Sequence, residues 1–177
     1  MRKIFIMTNA QKVLDFLIKK SNKEYVEKEI QQAVKISKAG TNLALRDLIK
    51  TKLVKRNIKG KNYFYSLNYQ DPVIRQLKVL QIVMLLTDLI NKIKQKSDKI
   101  ILYGSCSRGE NTETSDIDLL VITNNSDEVE KNIPASINGK KIQLTIRTPF
   151  KYAEMEKTEP YFYKEIERGI VLWEKKD

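Results

Sequence analysis

Histidine is absent from these 177 residues, and cysteine occurs once, as Cys106. A single cysteine excludes an intrachain disulfide, and without histidine it argues against a zinc site. A reducing cytoplasmic interior is the simplest setting for such a chain. Glycine (six) and proline (four) are sparse, which speaks against long linkers and low-complexity segments. No apolar run approaches the ~18 residues of a membrane span. The opening MRKIFIMTNAQK is basic, but its apolar stretch is too short for a signal peptide.

What is abundant is positive charge, and it is unevenly placed. The net charge is +11. Residues 1–70 hold 16 Lys/Arg against 5 Asp/Glu, whereas residues 99–177 hold 12 against 14. Two units with different partners are expected from such a split. The basic one suits a polyanion, which it binds by releasing counterions, although a solvated lysine-rich surface would give the same count.

The first seventy residues read as helix, helix, helix, hairpin. Thr8 or Asn9 caps a helix carrying Val13, Leu14, Leu17 and Ile18. Asn22 caps a second with Val26, Ile30 and Val34. Ser37 precedes a third with Leu43, Leu45, Leu48 and Ile49 facing inward. Leu53 and Val54 open a strand, Ile58–Lys61 supply a turn around Gly60, and Tyr63–Leu67 return. This order, with the run LRDLIKTKLVKRNIKGKNYFYSL, resembles the winged helix-turn-helix of bacterial and archaeal repressors over residues 8–68. The resemblance implies that the third helix enters a major groove of duplex DNA, with Lys38, Thr41, Asn42 and Arg46 toward the bases. On the wing, Lys55, Arg56, Lys59 and Lys61 would meet phosphates. A winged helix used to dock a protein is the alternative.

Asp71-Pro72 then starts a helix over residues 73–97. Val79, Ile82, Leu86, Leu89 and Ile93 recur at helical spacing, and Leu77, Leu80, Met84 and Leu85 widen the stripe. A helix apolar on more than one face must be buried on more than one face. It therefore sits between two domains or pairs with its copy in a homodimer. The repressor resemblance favours the homodimer.

Residues 99–122 read KIILYGSCSRGENTETSDIDLLVI. Ile100–Tyr103 form a short strand that ends at Gly104-Ser105. Asp116-Ile117-Asp118 open a second strand, Leu119–Ile122, apolar enough to be covered on both faces. Strand side chains alternate, so Asp116 and Asp118 share a face. Two such carboxylates repel unless a cation lies between them. Magnesium suits the place because it takes oxygen ligands and keeps waters and substrate phosphates in its shell. Gly104 lets a phosphate approach the backbone, and the Ser105 hydroxyl can bond it.

Gly-Ser, ten residues, then Asp-x-Asp resembles the signature of polymerase-β-like nucleotidyltransferases. The fuller string resembles their minimal members, which often act as antitoxins. The resemblance implies transfer of a nucleotide from a triphosphate to an acceptor hydroxyl. Gly104 and Ser105 would hold the triphosphate, Asp116 and Asp118 would bind magnesium as the catalytic pair, and Arg108-Gly109 matches the Arg-Gly after the turn, Arg108 being a phosphate contact. The family's third carboxylate, on a later strand, should fall within KKIQLTIRTPF (140–150), where Gln143 aligns. An amide is no general base, and Thr145 on the same face is none either. Glu154, Glu156 or Glu165 are the other sources. Tyr161, Phe162, Tyr163 and Trp173 are candidates for stacking on a base or for the core.

The expected architecture is α+β: a winged helix over 1–70, a connecting or dimerisation helix over 71–98, and a nucleotidyltransferase-fold α/β domain with a mixed sheet over 99–177. Three functions fit: a DNA-binding regulator whose second domain holds a magnesium nucleotide, an active nucleotidyltransferase acting on a protein or nucleic-acid hydroxyl, and an antitoxin-like protein that binds a toxin-like partner.

Overall fold

Thr8 starts the first helix through a reciprocal cap. Its hydroxyl accepts from Gln11 N (3.3 Å), and its own N–H donates to Gln11 Oε1 (2.8 Å). The computed structural model describes residues 7–20 and 23–175. Asn22, the expected cap of the second helix, lies outside them. Helix α1 (Asn9–Lys19) is followed by β1 (Tyr25–Val26), α2 (Glu27–Val34), α3 (Lys38–Lys50), β2 (Val54–Lys59) and β3 (Asn62–Leu67). Val26, expected inside the second helix, belongs instead to β1, and Glu29 caps α2 by accepting from Val26 N (2.9 Å). The strands form one antiparallel sheet in the order β1-β3-β2, with Gly60 at φ +60° in the turn.

Val13, Leu17, Ile30, Leu45, Leu48, Val54, Leu67 and Ile74 form the core of this unit. Leu45, Leu48 and Ile49 of the third helix pack into this core as expected, but Leu43 and Thr41 trade places. Thr41 is fully buried, its hydroxyl donating to Ser37 O (3.0 Å), while Leu43 is 62% exposed. The reason is helical phase: Thr41, Ala44, Leu45 and Leu48 form the inward stripe, and Leu43 falls opposite it with Ala39, Arg46 and Lys50.

The chain divides into two compact units between Leu77 and Lys78, inside helix α4 (Pro72–Ile93). Asp71 caps α4 by accepting from Val73 N (2.8 Å). Ile74 and Leu77 pack into the first unit's core. Ile82, Leu86, Leu89 and Ile93 pack against the sheet of the second. The breadth of the apolar stripe is thus accounted for within one chain, although Val73 and Leu80 stay exposed. Leu86 is fully buried, and its truncation to alanine should cost about 2–5 kcal/mol.

The second unit is built on β4 (Lys99–Tyr103), β5 (Ile117–Ile122), β6 (Ser136–Ile137), β7 (Lys140–Arg147) and β8 (Ile170–Glu174). They form a mixed sheet in the order β6-β7-β5-β4-β8, in which only β5 and β7 pair in parallel. Its helices are α5 (Gly104–Arg108), α6 (Ser126–Asn132), α7 (Pro149–Thr158) and α8 (Pro160–Glu167). Alternation along the strands gives the sheet two covered faces. Ile100, Leu102, Leu119 and Val121 meet α4 and Val129 of α6. Ile101, Tyr103, Leu120 and Ile122 meet Met155 of α7 and Ile166 of α8. The short elements α6 and β6 are not marked by any residue pattern. No helix among the described residues is long and apolar enough to cross a membrane.

Candidate functional site

The site lies where β4 ends and β5 begins. Tyr103, the last residue of β4, pairs with Asp118, and Asp118 pairs with Gln143 on β7. Register partners point to one face, so Tyr103, Asp118 and Gln143 stand side by side on the face that α8 covers. Ile117 points the other way and is fully buried. Asp116 lies just ahead of β5, near enough for its charge to act on Asp118.

Gly104 turns the chain from β4 into α5 at φ +69°. A Cβ at this position would lie 2.2 Å from Asp118 Oδ2, so only glycine leaves room for that carboxylate. Cys106 is buried one turn into α5, and its thiol donates to Asp116 O (3.2 Å). Burial pushes that thiol up to about 11, so it stays protonated and serves as a tie between α5 and Asp116. Ser107 donates to Gly104 O (2.8 Å), and Gly109 closes α5 at φ +69°.

The loop between α5 and Asp116 is held from beneath. Lys140, at the start of β7, donates to the carbonyls of Thr112 (2.7 Å), Glu113 (3.2 Å) and Ser115 (3.3 Å). Ser115 Oγ also accepts from Thr112 N (2.8 Å). Lys140 is not foreseen from the sequence. Its signal there, a lysine opening the later strand, carries no motif.

Arg108 is placed differently from expectation. It donates to Glu110 Oε2 (2.9 Å) and also to Glu165 Oε1 of α8. Two carboxylates therefore occupy the group expected on phosphate. Both pairs raise the arginine's pKa, Glu110 more than Glu165. Asp118 is itself pushed up, first by burial, then by the charges of Asp116 and Glu165, with Arg108 opposing. Negative charge is thus in excess around Asp118.

Magnesium fits this donor set. Among the described residues, no three His, Cys, Asp or Glu side chains converge as a ready cage. Asp116 and Asp118 are hard oxygen donors, and magnesium characteristically completes its shell with waters and substrate phosphates rather than protein. The close passage of Gly104 beside Asp118 brings the turn at Gly104-Ser105 next to that carboxylate.

A cleft of about 610 Å³ lies elsewhere. It opens at the far ends of β5 and β7 between Thr123, Arg147, Lys151 and Glu154. Five residues of strand separate Thr123 from Asp118, roughly 16 Å. Glu154 therefore faces that cleft and not the aspartate pair, and Glu156 is exposed on α7. Of the three glutamates considered, only Glu165 reaches the site. Phe162 stacks edge-on against Tyr103 (5.5 Å), and Tyr163 packs in the same core cluster. Tyr161 is 89% exposed.

In the first unit the proposed DNA contacts are dispersed in character. Lys38 and Arg46 are exposed on α3, whereas Asn42 is half-buried and donates to Glu27 Oε2 (3.4 Å). Thr41, being buried, is removed from the set. On the hairpin, Lys55, Arg56 and Lys61 are exposed, and Arg56 lies 4.7 Å over the Tyr63 ring. Lys59 is ion-paired with Glu24, which also accepts from Asn57 (2.8 Å).

Residues 86–172 match the family model of the nucleotidyltransferase domain. The match begins within α4 and runs to β8, so it takes in Gly104-Ser105, Asp116 and Asp118. A solved structure of a protein from Sulfolobus solfataricus, provisionally called a nucleotidyltransferase, is similar at 12% identity and a TM-score of 0.40. The overlap covers 58% of this chain and 88% of that one. No curated protein matches. The residues that match the nucleotidyltransferase domain lie within the second unit.

Proposed function

We propose that this chain is a DNA-binding regulator whose nucleotidyltransferase-type domain binds a nucleoside triphosphate with magnesium. The observation that carries the nucleotide reading is the close approach of Gly104 to Asp118, beside Asp116. A glycine turn, a hydroxyl at Ser105 and two carboxylates meet at one strand end, which is the equipment for holding a metal-clamped triphosphate. Asp116 and Asp118 would hold the metal, Gly104 and Ser105 the phosphates. Magnesium, when bound, supplies neutralisation of the phosphate charge.

For the first unit, three helices followed by a hairpin, closed by a sheet of order β1-β3-β2, support a winged-helix reading. The cationic side chains exposed on α3 and on the hairpin support duplex DNA as its ligand. A second reading, docking of a protein, is favoured by the exposure of Leu43, Ile58 and Tyr63 on the same elements.

Titration of the whole protein with ATP, with and without magnesium, tests the first part. Binding that depends on magnesium and disappears in Asp116→Asn is expected. Binding unaffected by that change would place the nucleotide elsewhere. Electrophoretic shift of genomic fragments at low salt tests the second, and no shift would leave the protein-docking reading.

A further inference from the structure

Building on the nucleotide-binding reading, we propose that Glu165 is the carboxylate that deprotonates the acceptor hydroxyl, and that a bound triphosphate releases it by taking Arg108 from it. Three observations lead there. First, the strand position beside Asp118 is taken by Gln143, which stands in register with it and cannot accept a proton as a base. Second, Glu165 comes from another element, α8, to the same face. Its carboxylate accepts from Arg108 at the end of α5, and its charge is felt at Asp118. Glu154 and Glu156 do not reach the place.

Third, Arg108 is held by Glu165 and Glu110 together, in a partly exposed pair (35% and 33% for Arg108 and Glu165). An ion pair of that exposure is weakly held and exchanges readily. Arg108 is the C-terminal residue of the helix that begins at Gly104-Ser105, so phosphates seated on that turn would lie along the same short helix. A triphosphate carries more charge than either glutamate and offers a planar guanidinium two oxygens at once. Once Arg108 turns to phosphate, Glu165 loses its partner next to the aspartate pair. The acceptor oxygen then attacks the α-phosphorus and the new O–P bond forms. The bond from the α-phosphorus to the bridging oxygen breaks, and its electron pair leaves with pyrophosphate. The acceptor proton passes to Glu165 and from there to solvent.

The test compares the full-length wild type with Glu165→Gln and Glu110→Gln. Affinity for ATP with magnesium and for inorganic triphosphate is read by calorimetry, and pyrophosphate release reads turnover. Glu165→Gln should bind both ligands several-fold more tightly, because Arg108 is released, yet release pyrophosphate about 10²–10⁴-fold more slowly, the usual contribution of a positioned base. Glu110→Gln should also bind more tightly while keeping turnover. A purely structural role for Glu165 would move both readings downward together. Glu165→Asp, which keeps the charge, separates that case by retaining partial turnover.

Unchanged or weaker binding by Glu165→Gln overturns the exchange. Equal pyrophosphate release by wild type and Glu165→Gln, or none by the wild type, overturns the assignment of the base. In both cases magnesium-dependent nucleotide binding by the wild type would leave the binding reading standing. Binding by no variant would end both.

Discussion

Gly104 and Asp118 come so close that a methyl group on residue 104 would lie 2.2 Å from the Asp118 carboxylate. Asp118 on β5 pairs with Tyr103, the last residue of the antiparallel β4, and Gly104 follows Tyr103 as the first residue of α5. Gly104→Ala meets two penalties: the φ of +69°, costing on the order of 1–3 kcal/mol, and displacement of Asp118. A lower melting temperature and loss of magnesium-dependent ATP binding are expected together. Retention of wild-type affinity would mean that Asp118 does not hold the metal.

Asp118→Asn should do the opposite to stability. Burial and the neighbouring charges of Asp116 and Glu165 raise the folded-state pKa of Asp118. A raised carboxylate binds its proton more tightly in the folded state, so stability falls as pH rises from the unfolded pKa through the folded one. At neutral pH the full penalty is present. The amide removes it, so the melting temperature at pH 7 should rise above wild type, while the difference shrinks toward pH 3. Added magnesium should raise the melting temperature of the wild type but not of the variant. Thermal scans across pH read both effects.

Lys140→Met should loosen the loop that delivers Asp116. The ammonium satisfies three carbonyls, and hydrogen bonds to a charged group contribute about 1.5–3 kcal/mol each before solvent exposure reduces them. Nucleotide affinity should fall severalfold with circular dichroism unchanged. Amide exchange should accelerate over residues 111–116. Unaltered exchange there would make Lys140 a bystander.

The hairpin cations should not be equivalent. Lys59 is already neutralised by Glu24, whose carboxyl is held below its usual range chiefly by the hydrogen bond from Lys59 and then by that from Asn57. Charge reversal at Lys55 and Arg56 should therefore weaken DNA binding on all sequences. It should also flatten the salt dependence, by about one unit of slope for each phosphate no longer neutralised. Lys59→Glu should do less. Equal effects of all three would mean that the Glu24 pair opens on DNA.

Much of this is readable from residue patterns. The strand before Gly104-Ser105, the strand after Asp116, the hairpin around Gly60 and the helices flanking Pro160 follow from alternation, periodicity and turn chemistry. Gln143 does stand beside Asp118, because the spacing of a parallel partner strand can be counted. What cannot be read depends on side chains meeting across elements. Thr41 looks like a DNA-facing residue because threonine is polar, yet its hydroxyl is satisfied within its own helix and its methyl can be buried. Leu43 looks inward-facing because it is apolar, although a one-residue change of helical phase turns it out. Glu165 lies 57 residues from Arg108, and Lys140 lies 25 to 28 residues from the carbonyls it bonds, and no local pattern marks them.

The sharing of α4 between two cores bears on how such a chain could be inherited or recombined. A fragment beginning at Lys99 would keep every residue of the Gly-Ser and Asp-x-Asp motifs but lose Ile82, Leu86, Leu89 and Ile93. Its strands would then present Ile100, Leu102, Leu119 and Val121 to water. A fragment ending at Gln70 would likewise lose Ile74 from the other core. The seam that evolution or an experimenter must respect is therefore inside a helix, between Leu77 and Lys78, and neither module is portable without its part of that helix.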